Sequence, residues 1–135
     1  MTERSAVQNP MIRYAEQIGW VYVPPAEALR LRGGETGRLF TDVLAAQLLA
    51  LNPGVIDVGR ADEVIRLLRL LSPTIQGNQD LLNWLRGEGS VFVPAERRER
   101  NVALIDFAAP DRNVFQVTDE WRQKSAVYAN RADVV

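Results

Sequence analysis

The chain has 135 residues, the length of one ordinary domain, and its 47% hydrophobic content suits a soluble core rather than a disordered tail. It contains neither cysteine nor histidine, which excludes disulfide scaffolds, zinc sites with thiolate or imidazole ligands, thiol nucleophiles and histidine general bases. Sixteen basic and seventeen acidic residues give a net charge of -1, so any binding to nucleic acid has to be local. No apolar run has the length of a membrane span and the N terminus lacks a signal-peptide pattern, which predicts a cytoplasmic protein.

The first third of the chain is predicted to place two helices around a short strand. An Asn-Pro pair and apolar residues at helical spacing predict a helix over 10–18 that ends at Gly19. The run WVYV at 20–23 favours a strand because it is aromatic and β-branched. A second helix is expected from 25 to about 32.

Residues 36–87 are predicted to form an all-helical insert. The stretch 38–51 is rich in strong helix formers. Residues 61–71 place their apolar side chains on one broad face and their charges on the other, which is typical of an amphipathic helix. A third helix is expected to be capped by Asn78 and to end at Gly87.

The last third of the chain has β character. Apolar stretches at 102–107 and 114–117, separated by a turn sequence at 108–112, predict a β-hairpin over about 102–119. Residues 132–135 are predicted to begin a further strand. A strand that opens with an acid and stops after two valines is an unusual terminus, so we expect the chain to be a fragment of a longer protein.

Carboxylates are the remaining candidates for catalysis or metal binding. Asp106 falls in a predicted strand, Asp119 and Glu120 end the next one, Asp133 opens the third, and Glu16 lies on the first helix. A carboxylate that points into a sheet is costly unless it is paired or bound to a metal, so Asp106 and Asp133 are the most informative. For Asp106 a structural hydrogen-bonding role is favoured over catalysis.

The order of these elements resembles a known family. A Glu-bearing helix with GWVYV, followed by NVALIDF, NVFQVTDEW and RADVV, is similar to the N-terminal nuclease region of the restriction (R) subunit of type I restriction-modification enzymes. The resemblance extends from about Glu16 to Val135 and is most specific in 102–135. It implies an α/β fold, namely an incomplete mixed sheet of the restriction-endonuclease type with an N-terminal helix and the helical insert. The whole chain, 1–135, would then be a single N-terminal nuclease-domain fragment whose catalytic strand starts at 132–135.

That family belongs to the PD-(D/E)xK nucleases, and the resemblance implies the site residues. The aspartate of the motif corresponds to Asp133, as a catalytic residue and metal ligand, although Ala132 stands where proline is common. Glu16 corresponds to a catalytic first-helix glutamate of related nucleases, and Arg131 to the arginine before the aspartate, which we expect to bind DNA. The implied cofactor is Mg²⁺, held by carboxylate oxygens. The Glu-x-Lys half of the motif is expected on the strand after Asp133.

The resemblance also implies partners. The parent subunit would cleave unmodified double-stranded DNA within an ATP-driven complex that includes methylation and specificity subunits. ATPase motifs are not found in this chain, since GGETGR at 33–38 lacks the Gly-Lys-Ser/Thr of a phosphate-binding loop. With so few metal ligands, the chain alone is expected to be inactive as a nuclease. Open sheet edges would favour self-association of the fragment, which is a further hypothesis.

A second interpretation is a non-catalytic helical interaction or DNA-binding module whose working surface is 36–87. Under it, arginines on the helical insert would dominate binding. A reading frame that continues past Val135 into a hydrophobic strand with Glu-x-Lys would instead favour the nuclease.

Overall fold

The computed structural model describes residues 4–125 and 128–135, and this part of the chain is mixed α/β with small sheets. Its helices α1–α5 are, in chain order, Asn9–Gln17, Pro25–Leu31, Thr41–Leu51, Val58–Arg69 and Ile75–Leu85. Its strands β1–β6 are Val21–Tyr22, Ser90–Val93, Arg98–Asn101, Gln116–Val117, Asp119–Lys124 and Ala129–Val134. A π-helical turn precedes α1 and a 3-10 turn precedes β4. None of the helices in this described part is both long and apolar enough to cross a bilayer.

The chain divides into two compact units. The first comprises the chain up to Phe40 and again from Val114 onward, and the second comprises Thr41–Asn113. The first unit therefore carries α1, α2, β1 and β4–β6, and the second carries α3–α5 with β2 and β3.

The first unit begins with the helix and strand that the sequence predicts. Proline stands in the first turn of α1, and Gly19 follows the end of the helix with a φ of 96° that favours glycine. The strand β1 then pairs in parallel with β4, with Val21 opposite Gln116. The rings of Trp20 and Phe115 lie 5.4 Å apart beside this pair. The predictions of α1, β1 and α2 are confirmed.

The strands β5 and β6 form an antiparallel ladder in the first unit. Asp119 lies opposite Val134 and Lys124 lies opposite Ala129. Reciprocal backbone hydrogen bonds between Thr118 and Val135, of 2.8 and 2.9 Å, extend the ladder by one pair. The strand predicted at 132–135 is confirmed, and it starts earlier than predicted because its pairing with β5 extends back to Ala129.

The second unit is built around α4. Asp57 caps this helix by accepting a hydrogen bond of 2.8 Å from the Arg60 amide. Its buried face packs against α3, where Leu48 is fully buried like Val64 of α4. The helices predicted over 36–87 are confirmed as α3–α5. One detail is wrong, since α5 is capped by Thr74, whose hydroxyl accepts from the Gly77 amide, and not by Asn78.

The predicted hairpin over 102–119 is wrong. The hairpin of the second unit lies one segment earlier, where β2 pairs with β3 and Ser90 is opposite Asn101. The segment 102–107 is not a strand, and the strand within 114–117 pairs with β1 instead. Val102 is fully buried and its amide donates to the Gly89 carbonyl at 2.8 Å, which continues the β2–β3 pairing by one hydrogen bond, but the residues after it take part in no strand.

Hydrogen bonds to side chains, rather than a strand ladder, hold the segment 102–113 in place. The buried Asn52 amide accepts from the Ala103 N–H at 2.7 Å and donates to the Ala103 carbonyl at 2.8 Å. Asp106 accepts from the amides of Ala108 and Ala109 and pairs with Arg112 at 3.1 Å. The structural role predicted for Asp106 is therefore confirmed, since its carboxylate shapes a turn.

Candidate functional site

The β5–β6 ladder places Asp133 near the end of β6, with its side chain 44% exposed. The pairs Asp119 with Val134 and Trp121 with Ala132 flank it in the register. Glu120 and Asp133 consequently occupy facing positions on neighbouring strands. Two carboxylates at such positions repel each other unless a cation lies between them.

Arg131 supplies that cation. Its Nη1 lies 3.2 Å from Glu120 Oε2, and its Nη2 lies 3.3 Å from Asp133 Oδ1. One guanidinium fork thus joins the two carboxylates through separate nitrogens. Glu120 has a φ of 51°, in the left-handed region that a non-glycine residue adopts at a cost of about 1–3 kcal/mol.

The residue before Glu120 is a deeply buried acid. Asp119 is 1% exposed, and its Oδ1 accepts a hydrogen bond of 2.7 Å from the Tyr22 hydroxyl. A buried carboxylate needs such donors because it has lost its water. Tyr22 thereby ties β1 to the start of β5.

Tyr22 also borders the cavity that contains Glu16. The cavity has a volume of about 280 Å³ and is lined by Asn9, Ile12, Arg13, Glu16 and Tyr22. Glu16 and the tyrosine that donates to Asp119 therefore line the same cavity. Within the described part of the chain, Glu16 and Asp133 share no hydrogen bond or ion pair.

A buried arginine fixes the other end of β5. The Arg32 guanidinium donates to the Arg122 carbonyl at 2.6 Å and to Gln123 Oε1 at 3.2 Å, and it lies 4.1 Å from the Trp121 ring centre. Burial lowers the pKa of Arg32, opposed by the charge of Glu35. These contacts anchor the strand that faces Asp133.

The neighbouring loop is held to β5 by an ion pair. Lys124 Nζ lies 2.6 Å from Glu35 Oε2, and the Lys124 amide donates to the Glu35 carbonyl at 2.9 Å. The hydrogen bond from Lys124 lowers the pKa of Glu35.

The oxygen ligands at this site are of the kind that a hard cation prefers, but they are too few. Carboxylate oxygens are ligands that Mg²⁺ prefers, and Asp133 offers one at an accessible strand end. Residues 4–125 and 128–135 nevertheless contain no group of three or more acids able to hold a metal ion. Octahedral coordination of Mg²⁺ by this part of the chain would need further oxygen ligands.

Several members of this site were not predicted from the sequence. Tyr22 and Arg32 gave no signal, because their partners lie about 90 residues further along the chain. From the sequence, Glu120 is predicted only to end a strand. Prediction of β5 would have placed it opposite Asp133, since a hairpin register pairs residues symmetrically about its turn.

Comparison with protein families identifies the chain. The family model of the type I restriction enzyme R protein N terminus matches residues 1–135. The chain belongs to this family. The resemblance noted from the sequence is thereby confirmed over the whole length, and it points to a nuclease as the parent enzyme. No curated protein and no solved structure matches the chain.

Proposed function

We propose that these residues form the N-terminal part of an endonuclease domain of the PD-(D/E)xK class, with a restriction-endonuclease-like fold. In the R subunit, this domain hydrolyses phosphodiester bonds of unmodified double-stranded DNA in a metal-dependent reaction. Membership in the R protein N-terminal family supports the proposal. The single structural observation that carries it is the accessible carboxylate of Asp133 at the end of a strand laddered to β5.

Asp133 is the residue of this chain that would hold the metal. A bound Mg²⁺ supplies polarisation of the scissile phosphate and a lowered pKa for a water molecule. The chain's own contribution is to orient the carboxylate, through Arg131 on one side and the β5 ladder on the other. Glu16 is proposed as a second catalytic acid, supported by its place in the cavity beside Tyr22.

Arg131 is proposed to bind DNA. Its side chain is half exposed, so it can exchange a carboxylate for a backbone phosphate, which the guanidinium fork also binds. Such a phosphate contact fixes the position of the duplex without reading its sequence.

The sequence of these 135 residues contains no Glu-x-Lys. The ligand and the lysine of that half-motif are therefore proposed to come from outside them, and the 135-residue chain alone is expected not to cleave DNA. The test is incubation of this chain with plasmid and Mg²⁺ or Mn²⁺. We expect the plasmid to stay intact. Cleavage that is lost in Asp133→Ala would refute the claim that these residues lack ligands needed for catalysis.

The parent R subunit is proposed to act with methylation and specificity subunits and to use ATP for translocation. Family membership supports a multi-subunit, DNA-binding parent. The decisive test uses the R protein that carries these residues. Asp133→Asn should abolish cleavage of unmodified plasmid, and Asp62→Asn on the exposed side of α4 is the matched control that should leave it unchanged.

A further inference from the structure

A cavity of about 250 Å³ lies on the second unit, lined by residues from the end of α4, from α5 and from the turn that follows α5. Trp84 of α5 contributes a half-buried aromatic ring, and Leu67 and Leu71 contribute aliphatic surface. Asp80 and Glu88 are the acidic residues of the lining. This Trp84 cavity therefore combines an aromatic ring, aliphatic side chains and negative charge.

The described part of the chain does not neutralise this negative charge. Among the side chains that the structure describes, neither Asp80 nor Glu88 forms an ion pair with a lysine or an arginine. Asp80 accepts a hydrogen bond of 2.9 Å from the neutral amide of Gln76. No described cation lies over the Trp84 ring either. Two carboxylates beside an aromatic ring attract a cation, because both the charges and the ring quadrupole favour it.

The first unit shows a tryptophan of this chain holding an arginine. The Arg32 guanidinium lies 4.1 Å from the centre of the Trp121 ring, and the negative charge of Glu35 acts on the same guanidinium. Arginine suits this place because its planar, weakly hydrated guanidinium stacks on aromatic rings and pairs with carboxylates. The Trp84 cavity presents the same chemistry, an indole ring with acidic neighbours.

We propose that the Trp84 cavity binds an arginine side chain presented by a protein partner. The guanidinium lies against the indole ring and pairs with the carboxylates of Asp80 and Glu88, and its methylene stem packs on the leucines of the lining. Charge complementarity selects this occupant, since the same carboxylates repel the phosphates of nucleic acid. A metal ion is not favoured, because residues 4–125 and 128–135 contain no group of three acids able to hold one.

The surroundings of the Trp84 cavity suit a protein interface. Residues that adjoin its lining in the sequence are exposed leucines, namely Leu70, Leu81 and Leu85. Apolar surface around a bound arginine excludes water, which strengthens the ion pairs that the guanidinium makes.

Local contacts fix the shape of the cavity before a partner binds. The turn after α5 contains Gly87 with a φ of 79°, and the Glu88 amide donates to the Asn83 carbonyl at 2.9 Å. The backbone of Gly89 packs so closely against Trp84 that an added Cβ would clash with the ring. Because the ring and the turn are already ordered, binding loses little further conformational entropy.

The probe is acetyl-arginine amide, and the measurement is the chemical shift of the Trp84 indole N–H in the 135-residue chain at constant ionic strength. We expect a saturable shift of this signal, while the Trp121 indole signal stays in place because Arg32 already lies over that ring. Acetyl-citrulline amide, which has nearly the same shape without the charge, should produce no saturable shift. Equal shifts with both ligands, or no saturable shift with the arginine ligand, would overturn the inference.

Charge substitutions inside and outside the cavity separate a local effect from a general one. Asp80→Asn and Glu88→Gln should each raise the half-saturating concentration of acetyl-arginine amide roughly two- to fivefold, the range of one exposed ion pair. Asp62→Asn and Glu63→Gln make the same charge changes at exposed positions of α4 and should raise it by less. Equal increases in all four variants would show a general charge effect and contradict the proposal.

The ring and the side-chain stem are tested separately. Trp84→Leu keeps an apolar wall without the aromatic ring, so binding of acetyl-arginine amide, followed through the Glu88 amide signal, should be lost. Binding at the wild-type concentration would refute the role of the ring, and the acid variants keep the proposal testable if Trp84→Leu does not fold. Methylguanidine has no stem to pack on the leucines and should bind more weakly than acetyl-arginine amide. Equally tight binding of methylguanidine would indicate a small guanidinium compound and overturn the assignment to a protein side chain.

Discussion

Replacing Arg32 by lysine should destabilise the first unit substantially. Arg32 is 5% exposed and donates hydrogen bonds to Gly37, Arg122 and Gln123 while its plane lies over Trp121. A hydrogen bond from a charged group contributes about 1.5–3 kcal/mol, and a lysine ammonium cannot reach all three acceptors from one position. Loss of one such bond and of the contact between the guanidinium and the Trp121 ring should lower the free energy of unfolding by about 2–4 kcal/mol.

The assay for Arg32→Lys is urea denaturation followed by the amide signals of β5. Arg30→Lys is the matched control, because it lies at the end of the same helix and forms an exposed pair with Glu27. That control should change stability by less than about 0.5 kcal/mol. If Arg32→Lys were no more destabilising than Arg30→Lys, the anchoring of β5 by a buried guanidinium would be refuted.

Three further changes test other parts of the fold. Asn52→Ala removes hydrogen bonds to Leu48 and Ala103 and should lower the free energy of unfolding, measured by urea denaturation, by about 2–4 kcal/mol. An unchanged free energy of unfolding would show that Asn52 does not hold the segment 102–113. Gly89→Ala would place a Cβ 2.1 Å from the Trp84 ring, so a lower melting temperature is expected and an unchanged one would contradict that packing. Because Lys124 lowers the folded pKa of Glu35, the stability this pair contributes is present above the unfolded pKa and is lost as pH falls through the folded value. Glu35→Gln should therefore flatten the fall in urea midpoint below roughly pH 4.3, and an unchanged pH profile would exclude the pair as its source.

The elements predicted correctly are those whose signals are local. The helix α1 is predicted by its helical spacing of apolar residues and by Gly19 after its end, and α4 by an amphipathic pattern that needs no knowledge of its partner. The Asn-Pro pair does not mark the start of the helical run, because a π-helical turn leads into α1. The segment 102–107 was mistaken for a strand because burial of Val102 imitates a strand pattern. Its true partner is Asn52, a single side chain about 50 residues earlier, which no periodicity reveals.

The candidate site shows the same division. The position of Asp133 on a strand could be predicted from the short sequence around it, while its role at the site stays a prediction. The bridge from Arg131 to Glu120 depends on the register of β5 and β6, and the bond between Tyr22 and Asp119 spans 97 residues. Such contacts follow from tertiary packing rather than from local preference.

Cleavage by the R protein that carries these residues tests the metal role proposed for Asp133 most directly. The comparison is between wild type and Asp133→Asn, an isosteric change that removes the anionic ligand, on unmodified plasmid with Mg²⁺ and ATP. We expect cleavage to be abolished while ATP hydrolysis continues at the wild-type rate. Cleavage by Asp133→Asn at the rate of the wild type would contradict the assignment of this carboxylate to the metal centre.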